Sequence, residues 1–299
     1  MPVAVAILLG MAWWLSAPRP LDELPPLTHP PDPAKGKTLF YAGDCGSCHG
    51  AQTDTGTEPT LLAGGRPLKT RFGIFYPPNI SSDRQAGIGS WSLLDFVNAM
   101  KRGVSPQGHH YYPAFPYTSF SRMTVSDLAD LKAYLDTLPP MQDPSRKQEL
   151  NFPWSWRRGV GLWKRIFLNA SPVVAVGEDP QSKRGRYLVE GPGHCGECHT
   201  PRNRMFGLRR DAWLAGAKIP VGDDETAPDI TPGKEGIGDW SLDDIQWFLE
   251  TGFDPDADTV KGAMVGVQEN LAKLSESDRQ AIAAYLKKVP AHASTAQGK

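Results

Sequence analysis

Apolar side chains recur at helical spacing in two separated stretches: Leu128, Leu131, Tyr134 and Leu135 within residues 124–138, and Ile282, Tyr285 and Leu286 within residues 275–289. Each stretch predicts a helix, and each opens on a capping-box pattern, Thr124-Val125-Ser126-Asp127 and Ser275-Glu276-Ser277-Asp278. Two further helices are predicted from Ser92 to Val97 and from Ser241 to Ile245, where a serine caps and acidic residues suit the first turn. No stretch alternates apolar and polar residues for long, so the pattern predicts helices joined by Gly- and Pro-rich loops, an all-α chain. Residues 1–18 stand apart. They carry no charged side chain and include Val3, Val5, Ile7, Leu8, Leu9, Trp13, Trp14 and Leu15, which predicts an N-terminal hydrophobic helix. That helix reads as an export signal or, because Ser16-Ala17-Pro18-Arg19-Pro20 offers no small-x-small cleavage site, as an uncleaved membrane anchor.

The order of features is written twice. Gly36-Lys37-Thr38-Leu39-Phe40 leads into Cys45, and Gly185-Arg186-Tyr187-Leu188-Val189 leads into Cys195. A loop follows, then Pro78-Asn79-Ile80 with Gly87-Ile88-Gly89-Ser90-Trp91-Ser92-Leu93, against Pro228-Asp229-Ile230 with Gly236-Ile237-Gly238-Asp239-Trp240-Ser241-Leu242. Cys45 and Cys195 are 150 apart and Trp91 and Trp240 are 149 apart, the signature of a duplicated module. The predicted organisation is residues 1–18 as anchor or export signal, 19–34 as Pro-rich linker, 35–140 as the first module, 141–183 as connector, 184–290 as the second module and 291–299 as a flexible tail. The connector gathers Trp154, Trp156, Arg157, Arg158, Trp163, Lys164, Arg165 and Phe167. It is expected to pack across the two modules, with a membrane-surface role as the competing reading.

Composition changes this picture little. A formal net charge of −1 over 299 residues gives no electrostatic pull toward nucleic acid. The four cysteines matter more, because they fall in Cys45-Gly46-Ser47-Cys48-His49 and Cys195-Gly196-Glu197-Cys198-His199. In C-x-x-C-H the thiols are spaced to form thioethers with the two vinyl groups of one haem, and the histidine falls under the iron as proximal ligand. Two haem c are therefore expected, held by Cys45, Cys48, Cys195 and Cys198, with His49 and His199 on the irons. A lone C-x-x-C pair would also suit a redox disulfide or half a zinc site. Histidine after both pairs argues against each, and a structural zinc site separates two such pairs by about 15–20 residues.

A haem that carries electrons usually takes a second axial ligand, commonly Met or His. In the second module Met205 lies too near His199 in sequence to cross to the other face easily, which leaves Met264 in the Gly262-Ala263-Met264 loop. In the first module Met100 lies inside a helix and Met141 beyond the last one, so Met123 is the expected ligand, with His109 and His110 as competitors. Two His/Met irons leave no open position, which favours electron transfer over catalysis. The rival class is a dihaem redox enzyme, a peroxidase or a thiosulfate-oxidising cytochrome. The first needs an open iron and the second a cysteine ligand, and there is no fifth cysteine.

The runs Tyr76-Pro77-Pro78-Asn79-Ile80, Tyr112-Pro113-Ala114-Phe115-Pro116-Tyr117 and Gly193-His194-Cys195-Gly196-Glu197-Cys198-His199-Thr200-Pro201-Arg202-Asn203 resemble the multihaem cytochrome c subunits of bacterial membrane-bound alcohol, gluconate and related dehydrogenases. The likeness covers nearly all of residues 35–290. It implies two tandem modules like class I cytochrome c, at the bacterial inner membrane and facing the periplasm. They would take electrons from a catalytic dehydrogenase subunit and pass them to a cytochrome, an oxidase or quinone of the respiratory chain. Those subunits generally hold three haem modules, and this chain has two. Relatives often have Met where this chain has Phe115, so that ligand does not carry over and Met123 is its natural replacement. Two-haem relatives also accompany molybdenum oxidoreductases. Asn79, Asp229 and Arg202 are candidates to hydrogen-bond haem propionates, against an equal expectation that they brace loops, while Trp91 and Trp240 read as packing around the haems.

Overall fold

After α1 (Pro2–Leu15), the first module runs through α2 (Pro33–Ala42), the motif helix α3 (Cys45–His49), strands β1 (Ala51–Thr53), β2 (Gly56–Glu58), β3 (Leu68–Thr70) and β4 (Gly73–Phe75), α4 (Leu93–Val97) with a π-helical continuation over Asn98–Arg102, α5 (Tyr117–Phe120) and α6 (Val125–Leu135). The connector contributes β5 (Glu149–Leu150) and α7 (Arg158–Phe167). The second module contains α8 (Pro180–Glu190), the motif helix α9 (Gly196–His199), β6 (Ala215–Lys218), β7 (Thr226–Asp229), α10 (Leu242–Thr251), α11 (Met264–Leu271) and α12 (Glu276–Leu286). This computed structural model describes residues 2–53, 56–58, 60–221 and 225–292, so most of the tail expected to fray lies outside the described residues.

Each module is built on one helix crossing, α2 on α6 and α8 on α12. Glycine makes both crossings close. A Cβ on Gly36 would stand 2.0 Å from Asp130 O, and one on Gly185 would stand 1.8 Å from Ala281 O. Around the first crossing Leu39, Phe40, Leu62, Phe96, Val97, Met123, Leu128 and Leu131 are buried together; around the second, Leu188, Val189, Trp213, Leu214, Ile245, Ile282 and Tyr285. The expected caps form at all four helix starts. Thr124 and Ser275 accept from the backbone N–H of Asp127 and Asp278, and the reciprocal box closes at Ser92 with Asp95 and at Ser241 with Asp244.

Two parts of the expected fold need correction. The chain is not plainly all-α, because the loops after each motif helix fold back as short antiparallel pairs, β1 with β2, β3 with β4 and β6 with β7, and β5 of the connector adds to β4. Strands of two to four residues are too short for alternation to show in sequence. The hydrophobic N-terminal helix forms, but at 14 residues it is about 21 Å long against the roughly 30 Å of a hydrocarbon core. Among the described residues no helix is long and apolar enough to cross a membrane, so the anchor expected there is not supported. None of its residues is buried, and its C-terminal end is tied to α7: Arg158 donates to Trp13 O and Ser16 Oγ, and Arg165 donates to Leu15 O.

The connector does bridge the modules, through α7. Lys164 is buried against the first module, donating to the carbonyls of Arg102 and Gly103, while Trp163 donates from its indole to Met205 O and the Phe167 ring lies against Gly207. Trp154 and Trp156 remain exposed.

Candidate functional site

The two C-x-x-C-H motifs occupy equivalent short helices, and the residue before each first cysteine turns the chain into them with a left-handed backbone, Asp44 at φ 48° and His194 at φ 39°. All four cysteines are free. Burial pushes the Cys45 and Cys195 thiols up to about 12 and that of Cys48 to about 11. Among the described residues no cluster of His, Cys, Asp and Glu suits a metal ion.

The histidines are set alike. His49 donates from Nδ1 to Pro78 O at 2.8 Å, and His199 donates from Nδ1 to Pro228 O at 2.8 Å. The bond fixes tautomer and ring orientation and leaves each Nε2 as a free lone pair, the state an iron ligand requires. Burial pulls both imidazoles below their ordinary value, which keeps them neutral. Pro78 and Pro228 therefore orient the two motif histidines. In sequence these prolines stand out only as landmarks at a constant offset, without a visible role. Paired cysteines beside an imidazole oriented through Nδ1 fit a covalently bound haem in each module.

The distal-ligand candidates differ in burial and bonding. Met264 opens α11, half-buried against the core of the second module. Met123 is 1% exposed within the first core. Met100 is also buried there, and Met205 is exposed. His110 is fully committed, donating from Nε2 to Ser16 O and accepting at Nδ1 from Lys164, while His109 is exposed.

The motifs also meet across the seam between the modules. Glu197, inside the second motif, accepts from Thr118 Oγ1 at 2.5 Å and Ser119 Oγ at 3.2 Å in α5, and from Arg202 at 2.8 Å. Asp44, beside the first motif, accepts from Ser47 Oγ and from Asn270 Nδ2 of α11 at 2.6 Å. Burial raises its carboxyl above the usual range, against the pull of those donors and of His194 and Lys273. Each motif, or the residue just before it, is thus bonded to a helix of the other module. Sequence reasoning missed this pairing, whose one sign was Glu197 standing where the first motif has Ser47. The propionate candidates are otherwise engaged. Arg202 binds Glu197 twice, Asn79 donates to Met141 O and Asp143 O, and Asp229 accepts from Thr231 N.

Comparison with known proteins agrees with this geometry. The cytochrome c family model matches residues 33–139. Over 293 residues, 97% of each chain, the sequence is 46% identical to a dihaem cytochrome c-type protein of Cereibacter sphaeroides. It is 36% identical to the fructose dehydrogenase cytochrome subunit of Gluconobacter japonicus, covering 93% of this chain and 57% of that one. It is 37% identical to the gluconate 2-dehydrogenase cytochrome c subunit of Pantoea cypripedii, over 86% of this chain and 59% of that one. The chain thus spans a little over half the length of each of these two dehydrogenase subunits.

Proposed function

The chain belongs to the dihaem c-type cytochromes, and on that footing we propose that it is the electron-transfer subunit of a dehydrogenase complex, taking electrons from a catalytic partner and passing them to the respiratory chain. Two haem c, one on Cys45, Cys48 and His49 and one on Cys195, Cys198 and His199, supply the one-electron chemistry. The modules are residues 35–140 and 184–290. The observation that carries the reading is the doubled proximal arrangement, with each motif histidine donating to a prolyl carbonyl at 2.8 Å. Met264, at the start of α11, would serve as the second ligand of the second iron. The apolar, charge-free run before Pro18 supports export to the periplasmic side. The named dehydrogenase subunits among the relatives support a catalytic partner of that class.

The chain's own residues hold and orient the two haems and bury them against apolar cores, and the seam through Glu197 and Asp44 keeps the two sites in one body. The test is anaerobic. Purified holoprotein is mixed with its co-purifying dehydrogenase and substrate, and haem reduction is followed by absorbance. Reduction that requires both partner and substrate is expected. A chain that turns over peroxide or thiosulfate unaided refutes the carrier role.

A further inference from the structure

The duplication supplies a ruler for the distal ligands, and it does not place Met123 opposite Met264. The β-bridge between Val104 and His110 recurs as that between Phe253 and Thr259, each residue 149 from its counterpart. Tyr111 donates to Gly103 O as Val260 donates to Gly252 O, again 149 apart and the same offset as Trp91 to Trp240. Four residues further on, this register sets Phe115 against Met264. From the other side, the N-caps Thr124 and Ser275 are 151 apart, which sets Met123 against Leu274. The second module has two more residues between these landmarks, and they lie after Met264 in this alignment.

Burial divides the four residues the same way. Met123 and Leu274 are 1% and 4% exposed, both inside their cores, whereas Phe115 and Met264 are both half-buried against theirs. Phe115 is ringed edge-on by Tyr111, Tyr117 and Phe120 at centroid distances of 5.7, 6.2 and 5.7 Å. Phenylalanine has no lone pair for iron. The bonds already described occupy both nitrogens of His110, and His109 faces solvent.

We propose that the iron on His49 has no protein ligand on its other side, and that in the ferrous state it binds a small neutral diatomic ligand, carbon monoxide or nitric oxide, beside Phe115. An apolar distal side suits such a ligand, since distal polarity and donors decide between binding and activation. Tyr117, fully buried with a hydroxyl that has no partner among the described residues, leaves one uncommitted donor in this ring cluster. The two haems are then unequal, one closed by Met264 and one open.

The proposal rests on haem attachment at Cys45, Cys48 and His49, which a pyridine haemochrome count of two haems per chain checks separately; a count of one refutes that attachment as well as this site. With two haems present, the oxidised holoprotein is expected to show one high-spin and one Met-ligated low-spin haem by EPR. The reduced protein is expected to give a carbon monoxide difference spectrum of about one haem per chain. Phe115→Met should abolish that spectrum and add a second Met-to-iron charge-transfer band, while Met123→Leu, which copies Leu274, should leave both signals as they are. Two low-spin haems and no carbon monoxide binding in the unaltered protein overturn the proposal, as does loss of a Met-to-iron band in Met123→Leu.

Discussion

Replacing Gly185 by alanine tests the crossing on which the second haem site is built. Two effects oppose each other. In a helix interior Gly→Ala ordinarily stabilises by about 1 kcal/mol through backbone entropy. Here the new methyl would meet Ala281 O at 1.8 Å and Tyr285 Cβ at 2.7 Å, where ordinary contact begins at 3.4 Å. The nearer obstacle is backbone, so no side-chain rotation relieves it and α8 must move off α12. Overpacking of this kind costs about 1–3 kcal/mol, and the separation also loosens the fully buried Leu188, Val189 and Tyr285. Packing should therefore win, with a net loss of up to about 2 kcal/mol. The displacement should also reach the haem site, because Tyr285 Oη accepts from Trp213 Nε1 and the Trp213 ring lies where a Cβ on Gly196 would be, 2.1 Å away. Guanidinium unfolding of the holoprotein followed by far-UV circular dichroism measures the effect. Gly159→Ala in α7, with only the Trp156 ring within reach at 3.4 Å, is the control and should be neutral or slightly stabilising. A Gly185→Ala protein as stable as the control would refute the close crossing, since helix propensity alone would then decide.

Three other outcomes follow from the site. Met264→Ala should remove the Met-to-iron charge-transfer band of the second haem; an unchanged oxidised spectrum would deny it the ligand role. Glu197→Ala leaves the Thr118 and Ser119 hydroxyls without their acceptor and the Arg202 guanidinium with only the backbone carbonyl of residue 197, and should cost about 2–4 kcal/mol in denaturant titration, with Glu197→Gln costing less because an amide oxygen still accepts from the hydroxyls. Burial holds the Lys164 ammonium down to about 7 from its usual 10.5. Between those values the unfolded chain binds the proton and the folded one does not, so stability rises with pH across that window, by about 2 kcal/mol from pH 7 to 9. Lys164→Met should lack the rise, and unfolding midpoints at the two pH values that move equally in both proteins would contradict it.

How much of this was legible in the sequence depended on the range of the cause. Helix starts are local: Ser92, Thr124, Ser241 and Ser275 cap because a hydroxyl finds an N–H within one turn, and all four were readable. The proximal half of each haem site was nearly as plain, since a C-x-x-C-H motif carries thiols and imidazole in one short helix. The acceptor that orients each imidazole is 29 residues away, visible only as a recurring proline. The short hairpins escaped because strands of two to four residues carry no period, and the contact of Glu197 with α5 escaped because it joins residues 78 and 79 apart in different modules.

At the distal side of the first haem, a residue of a suitable type is not by itself evidence of ligation. Met123 is a methionine in the right half of the module, and in the proposal above Phe115 rather than Met123 is set against Met264. A two-residue difference in length between the modules hides from sequence whether Met123 or Phe115 answers to Met264, since counting from the tryptophans favours one and counting from the helix caps allows neither. Hydrogen-bond register fixes the count up to Tyr111, and the cap fixes it from Thr124 onward, so the extra residues of the second module fall between them. Within that interval burial pairs the positions: Met123 and Leu274 fill their cores, whereas Phe115 and Met264 are half-buried against theirs. On that criterion Met123 belongs to the core with Leu274. The same test applies to any duplicated haem protein whose copies differ in length between the last shared bridge and the final helix.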